Sequence, residues 1–269
     1  MSHLPKRRRI ERRPPLVLVV LAALGAVFFV APLAGLIART PWRRVPELLA
    51  NDVATDALGL SIATSIAATA VSAVLGVPLA WLLARIDFPG KALLRAVVTL
   101  PLFLPPVVGG AALLFALGRR GLIGEALYEG PGLLLPFSVW GVVVANTFVA
   151  MPLLVLAVEA GLRNLDPRFE GAAATLGARR LTVLRRVTLP LVAPSLGAGL
   201  ALAWARAFGE FGATVAFAGN LQGRTQTLPL AVFMALETDR DTAVVLSMLM
   251  VAVSLAVLVV MRGRWWRWR

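Results

Sequence analysis

Six long apolar stretches, separated by short polar connections, run through the chain. The first spans residues 16–38 behind a basic head. The others lie near 58–83, 92–117, 133–161, 189–219 and 242–261. A helix that crosses a bilayer needs about 20 consecutive apolar residues, so each stretch predicts one crossing. The first is longer than the roughly 7–15 residues of a signal-peptide core, which favours a retained anchor over a cleaved signal. The second is rich in Ala, Ser, Thr and Gly, small residues that let membrane helices approach closely. The third is interrupted by Pro101, Pro105 and Pro106, then Gly109 and Gly110. Proline removes a backbone donor and kinks a helix. The fourth carries Asn146 and Pro152.

An even number of crossings puts both termini on one side, and the cations say which. On the side of the termini fall the basic head, Arg85, Lys91 and Arg95, six arginines over 163–186, and four in the tail, nineteen Lys and Arg in all. The opposite side holds seven: Arg39, Arg43, Arg44, Arg119, Arg120, Arg224 and Arg240. Positive charge stays in the cytosol, so both termini are expected there. The tail, Arg262 to Arg269, alternates arginine with tryptophan and suits the headgroup layer.

Composition agrees. The chain is 59% hydrophobic and 15% charged, with a mean hydropathy of +0.82. A soluble domain is nearer 45–50% apolar and about 25% charged. The net charge of +13 could suggest nucleic acid. Its sidedness assigns it to membrane topology instead, and no nucleic-acid partner is expected.

Several chemistries are absent by inventory. There is no cysteine, and the single histidine is His3. Thiolate nucleophiles, histidine bases and the usual metal clusters are therefore excluded, and no catalytic or metal-binding residue is expected. A phosphate-binding loop of the G-x-x-x-x-G-K-[ST] type is missing as well. Lys91 follows Gly90, but Arg85 stands at the first glycine position and Ala92 follows the lysine. Powered transport would draw on another subunit or on an ion gradient.

The longest inward connection, 162–188, has its own order. Asp166 and Pro167 form a helix start, a cap followed by proline at the first position. Glu170 falls in the first turn, where the helix dipole favours a negative charge. Small residues fill 171–174, Gly177 permits a turn, and an amphipathic stretch carrying four arginines leads to Pro190. This predicts a short helix, a glycine bend and a second short helix, with Pro190 opening the fifth crossing. Such a unit suits docking into a partner's groove, or lying flat on the membrane.

The same segment resembles the signature of binding-protein-dependent ABC importer permeases: E-A-A, three residues, G, nine residues, I-x-L-P. Ala172, Ala173 and Gly177 match it, and nine residues then lead to Val187, Leu189 and Pro190. Gly171 occupies the glutamate position, with Glu170 one place earlier. The resemblance extends over about 57–261. It implies an all-α fold with six transmembrane helices, of the type I ABC importer permease kind. Residues 1–56 would be the basic cytosolic N-terminus, first helix and outer loop. Residues 57–261 would be the permease core with its coupling loop at 162–188, and 262–269 a basic, Trp-rich cytosolic tail. It also implies a homodimer in the cell inner membrane, served by two cytosolic ATPase subunits that carry ATP and magnesium, and by an extracytoplasmic oxyanion-binding protein. The chain itself would hold no cofactor and would not be an enzyme. Glu170, Gly171, Ala172, Ala173, Gly177, Leu189 and Pro190 would couple to the ATPase.

The fifth stretch holds the polar residues of most interest. Arg206 and Glu210 are four apart and share a helix face. Ionisable groups inside a membrane usually face the bundle interior or a watery path. The pair either neutralises itself or lines a path or gate, with Gly209 and Gly212 permitting a bend. The run Gly209-Glu-Phe-Gly-Ala-Thr214, then Gly219-Asn220, then Thr225 and Thr227 is similar to the molybdate branch of these permeases, with the sulfate and thiosulfate branch as the alternative. The resemblance implies an importer for molybdate, with tungstate not separable. A tetrahedral oxyanion in transit needs neutral donors rather than trapping cations. Asn146, Thr214, Asn220, Gln226 and Thr227 are candidates. An ion-coupled transporter is the rival from another class, but it needs embedded acidic residues, and Glu210 alone qualifies.

Overall fold

The computed structural model describes residues 15–265. Helices α1 (Leu16–Arg39), α2 (Val45–Leu49) and α3 (Asp52–Arg85) come first. Helices α4 (Lys91–Thr99), α5 (Pro106–Leu117), α6 (Gly124–Glu129) and α7 (Val139–Asn164) follow. Then come α8 (Pro167–Thr175), α9 (Arg180–Val183), α10 (Leu189–Phe208), α11 (Gly212–Ala218), α12 (Leu228–Thr238) and α13 (Arg240–Trp265). No strand occurs among the described residues. Five of the helices are long and apolar enough to cross a membrane, and the bent pair α4–α5 makes a sixth if counted as one crossing.

Helix α7 is the centre of the bundle. Two thirds of its apolar window, 67%, is buried, against none of α1. It packs between α3 and α10. The face that α3 turns inward is Ala54, Ala57, Ser61, Thr64, Ser65, Ala68, Ser72, Gly76 and Ala80. These small residues recur at helical spacing, so the backbones come close, as their composition predicts. A core of Leu83, Val155, Val158, Leu162 and Val192 joins α3, α7 and α10. A second cluster seats Phe208, Leu228 and Leu246 between α10, α12 and α13. A third sets Leu113 and Phe217 against α7.

The crossings differ in detail from the expectation. Helix α3 begins at Asp52 rather than 58, because the Asn51 side chain accepts the Val53 N–H at 3.1 Å and caps it there. Residues 133–138 lie outside the fourth crossing, where the Ser138 hydroxyl accepts the Gly141 N–H and starts α7. The third stretch is bent far more sharply than a single proline kink, and its two helices taken together make the sixth crossing. The chain bends by 118° between the halves of this stretch, across the prolines, and Pro105 is extended with Pro106 as the first residue of α5. The fifth ends at Phe208, not 219. Past Gly209 the chain starts afresh in α11, and the short apolar α12 follows, which periodicity did not single out.

In the 162–188 loop the expected cap is present: the Asp166 carboxylate accepts the Arg168 N–H at 2.9 Å. Gly177 takes a left-handed φ of 78°, a conformation that suits glycine. The second short helix, however, is not separate. Residues 180–208 run as one helix, widened to a π turn over Leu184–Thr188. Pro190 lies just past this turn instead of opening the crossing. A proline inside a helix lacks the N–H for its ladder bond and crowds the preceding turn, and a wider turn accommodates both faults. The basic head and the last tail residues fall outside the described residues.

Candidate coupling loop and pathway residues

Helix α8 stands outside the bundle. None of its residues is buried. Phe169 is 55% exposed and Leu176 is 88% exposed, with Ala172 exposed between them. Positions 169, 172 and 176 share one helical face, so α8 presents a small apolar stripe outward. Gly171 is exposed, with nothing within 4 Å of a Cβ built there. Ala173 is half-buried. Glu170 turns the opposite way. Its Oε1 accepts the Thr188 hydroxyl at 2.7 Å and Arg85 Nη2 at 3.1 Å. Leu189 lies against an apolar cavity beside the π turn, and Pro190 is exposed. The matched residues thus divide between an outward stripe and an inward anchor.

The polar residues of the fifth stretch meet at the start of α11. Glu210 is buried, with its side chain 1% exposed. Its Oε2 pairs with Arg206 Nη1 at 2.5 Å, and its Oε1 accepts the Ala213 N–H at 2.7 Å. One carboxylate therefore neutralises a membrane arginine and caps the helix that follows. One turn further on, the Thr214 hydroxyl donates to Asn146 Oδ1 at 3.2 Å, with both residues buried. So Arg206, Glu210, Thr214 and Asn146 sit around α11. Asn220 lies past its end, beyond Gly219, and its Oδ1 is buried without a partner. Thr227 Oγ1 is likewise buried and unpaired, while the Thr225 hydroxyl accepts the Leu221 N–H.

Helix α11 is held there by close backbone approach. A Cβ on Gly110 of α5 would lie 2.6 Å from the Ala213 carbonyl oxygen. A Cβ on Gly212 would lie 2.8 Å from Pro106. The glycines let α5 and α11 touch backbone to backbone.

The sequence of residues 76–265 matches the family model described as "Binding-protein-dependent transport system inner membrane component". The chain belongs to this family. It is 48% identical over 237 residues to the molybdenum transport system permease protein ModB of Mycobacterium tuberculosis, covering 88% of this chain and 89% of that one. It is 41% identical over 218 residues to the Escherichia coli protein of the same name, covering 81% and 95%. The sulfate transport system permease protein CysT of Escherichia coli is 34% identical over 231 residues, covering 84% and 83%. Among solved structures, a bacterial alginate ABC transporter in complex with an alginate pentasaccharide-bound periplasmic protein superposes with a TM-score of 0.74. It shares 16% identity and covers 91% of each chain, a likeness of fold. The permease is thus a multi-pass inner membrane protein, and the permeases it resembles are the non-enzymatic subunits of their transporters.

Three polar contacts of the permease escaped sequence reading. Glu159 of α7 is buried and pairs with Arg95 of α4 at 2.6 Å and with Arg163 at 3.0 Å. Only the Glu159–Arg163 spacing was visible in advance, as an i, i+4 pair. The Ser61 hydroxyl accepts the Leu228 N–H at 2.6 Å and caps α12 from α3. Arg44 pairs with Asp241 at 2.5 Å. Their partners lie 64 to 197 residues away, and no local signal reports them.

Proposed function

We propose that this permease is the membrane-spanning subunit of an ATP-driven importer for molybdate, tungstate being carried by the same route. It forms the translocation path and receives ATPase motion through the 162–188 loop. The observation that carries the substrate is the identity gap. Molybdenum permeases share 48% and 41% with the chain, against 34% for a sulfate permease over a comparable length. Two copies would form the path. Two ATPase subunits, holding ATP and magnesium, would dock on the exposed stripe of Phe169, Ala172 and Leu176. An extracytoplasmic binding protein would deliver the anion to the outer loops. Closure of the ATPases would then rock the spans as rigid bodies. Asn146, Thr214 and Asn220 offer neutral hydrogen-bonding groups along the path, and Arg206 with Glu210 holds α11 in place as part of its gate. The family's glutamate position is glycine here, and the neighbouring Glu170 turns inward to Arg85 and Thr188, away from the docking stripe.

Uptake of labelled molybdate into proteoliposomes holding the permease and its ATPase tests this reading. Uptake should require ATP and the binding protein, and excess sulfate should not suppress it. Equal transport of sulfate would install the runner-up substrate. Uptake on a proton or sodium gradient without the ATPase would install the ion-coupled rival. Asn146→Ala and Thr214→Ala should each slow uptake, and unchanged rates in both would remove these residues from the path.

The uneven distribution of Lys and Arg supports both termini lying in the cytosol. The chain has no native cysteine, so single cysteines report sides cleanly. A cysteine at Gly171 should react with an impermeant maleimide only in inverted vesicles, and one at Leu122, which is 93% exposed, only in right-side-out cells. The reverse pattern would invert the topology.

A further inference from the structure

Apolar packing does not hold α8 to the bundle, since none of its residues is buried. Polar contacts do. Glu170 Oε1 receives Arg85 and Thr188 together. Arg85 is the last residue of α3, and Thr188 is the last residue of the π turn that feeds α10. A single carboxylate oxygen therefore joins α8 to two spanning helices. Bonds to an ionised group are roughly twice as strong as neutral ones. They are also partly shielded here, the Arg85 and Glu170 side chains being 20% and 26% exposed. Arg85 has no surplus of partners, because its Nε is buried and donates to nothing among the described residues.

The π turn has room to move. An apolar cavity of about 270 Å³ lies behind it, lined by Leu184, Thr188 and Leu189 on one side and by Val77, Pro78 and Trp81 of α3 on another. Protein interiors are ordinarily close-packed and resist displacement. A turn beside such a half-open pocket can shift into it without first displacing its protein neighbours. π turns of this kind are often found at functional sites.

We infer that Glu170 is a positioning residue for energy coupling, a clasp that ties α8 to α3 through Arg85 and to the π turn of α10 through Thr188. A displacement of α8 then pulls both spanning helices together, and the cavity lets the π turn follow. This rests on the proposed reading that α8 receives the ATPase.

The test uses the whole complex of permease, ATPase and binding protein in proteoliposomes. Three quantities are read for each variant: ATPase retained on purification, ATP hydrolysed, and labelled molybdate imported. Glu170→Gln and Thr188→Val should each keep the ATPase bound and hydrolysing. Molybdate imported per ATP should fall roughly tenfold, the size of a typical coupling between sites. Glu170→Ala with Thr188→Val should be no worse than Glu170→Ala alone, because the alanine already removes the bond that Thr188 makes. Glu170→Asp should recover part of the ratio. Leu176→Asp, on the outward stripe, should instead lose the ATPase on purification. An unchanged ratio in Glu170→Gln with the ATPase bound would overturn the clasp. Loss of the ATPase from Glu170→Gln would overturn it too, by placing the carboxylate in the docking face. A Leu176→Asp complex that keeps its ATPase would count against the docking reading itself, and that result is distinct from either.

Discussion

Glu210→Leu is expected to destabilise the folded permease by about 3 kcal/mol or more, since breaking a buried pair costs about 3–5 kcal/mol. Each oxygen of this carboxylate has its own task. Without it Arg206 remains in a spanning helix with its side chain 31% exposed and no counter-charge. An arginine in a spanning segment is costly unless it is paired. The lost cap at Ala213 adds about 1 kcal/mol. Tryptophan fluorescence on heating in detergent should show a clearly lower transition. Glu210→Gln keeps an acceptor for the Ala213 N–H and should fall between the two. Arg206→Leu with Glu210→Leu should recover most of the loss, because a buried pair replaced by apolar groups is often neutral. If the single leucine variant melts with the unaltered permease, the pair is not holding the α10–α11 junction.

Gly110→Ala should have the next largest effect, although it adds a single carbon. That carbon would lie 2.6 Å from the Ala213 backbone oxygen and 2.7 Å from Ala216 Cβ. Neither can rotate away as a flexible side chain would, so α5 and α11 must separate. Overpacking of this kind costs about 1–3 kcal/mol. The displaced helix carries Thr214, so molybdate uptake should fall with stability as the bond to Asn146 lengthens. Gly59→Ala is the control. Nothing lies within 4 Å of a Cβ there, and alanine is favoured over glycine inside a helix by roughly 0.5–1 kcal/mol. Equal melting temperatures for the two alanine variants would show that the α5–α11 contact carries no stability.

The crossings and the loop motif were legible because their signals are local. Lipid exposure needs only a long apolar run, and the runs at 16–38 and 242–261 appear as α1 and α13 nearly residue for residue. The Asp166 cap and the Gly177 bend depend on side chains and φ values within a few residues. The small-residue stretch in α3 likewise announced a close helix contact, though not that α7 would be the partner. Breaks were harder to read. Three prolines marked trouble in 92–117, but a kinked span and a 118° turn look alike in sequence. The apolar content of 189–219 suggested continuity while Gly209 and Gly212 permitted a bend, and the break falls between these two glycines, where Glu210 accepts the Ala213 N–H of α11.

What the sequence by itself determined is the class of molecule: an all-helical membrane chain with a signature loop, no cysteine and a single histidine. Hydrophobicity and residue inventory are additive properties of a chain and need no fold to be counted. Tertiary structure alone decided which polar groups distant in sequence face one another. Glu170 finds Arg85 across 85 residues, and Thr214 finds Asn146 across 68. These contacts are set by how α3, α7 and α10 pack, through small residues whose contribution is the distance of approach. That distance is a property of helix pairs, so no single stretch of sequence contains it.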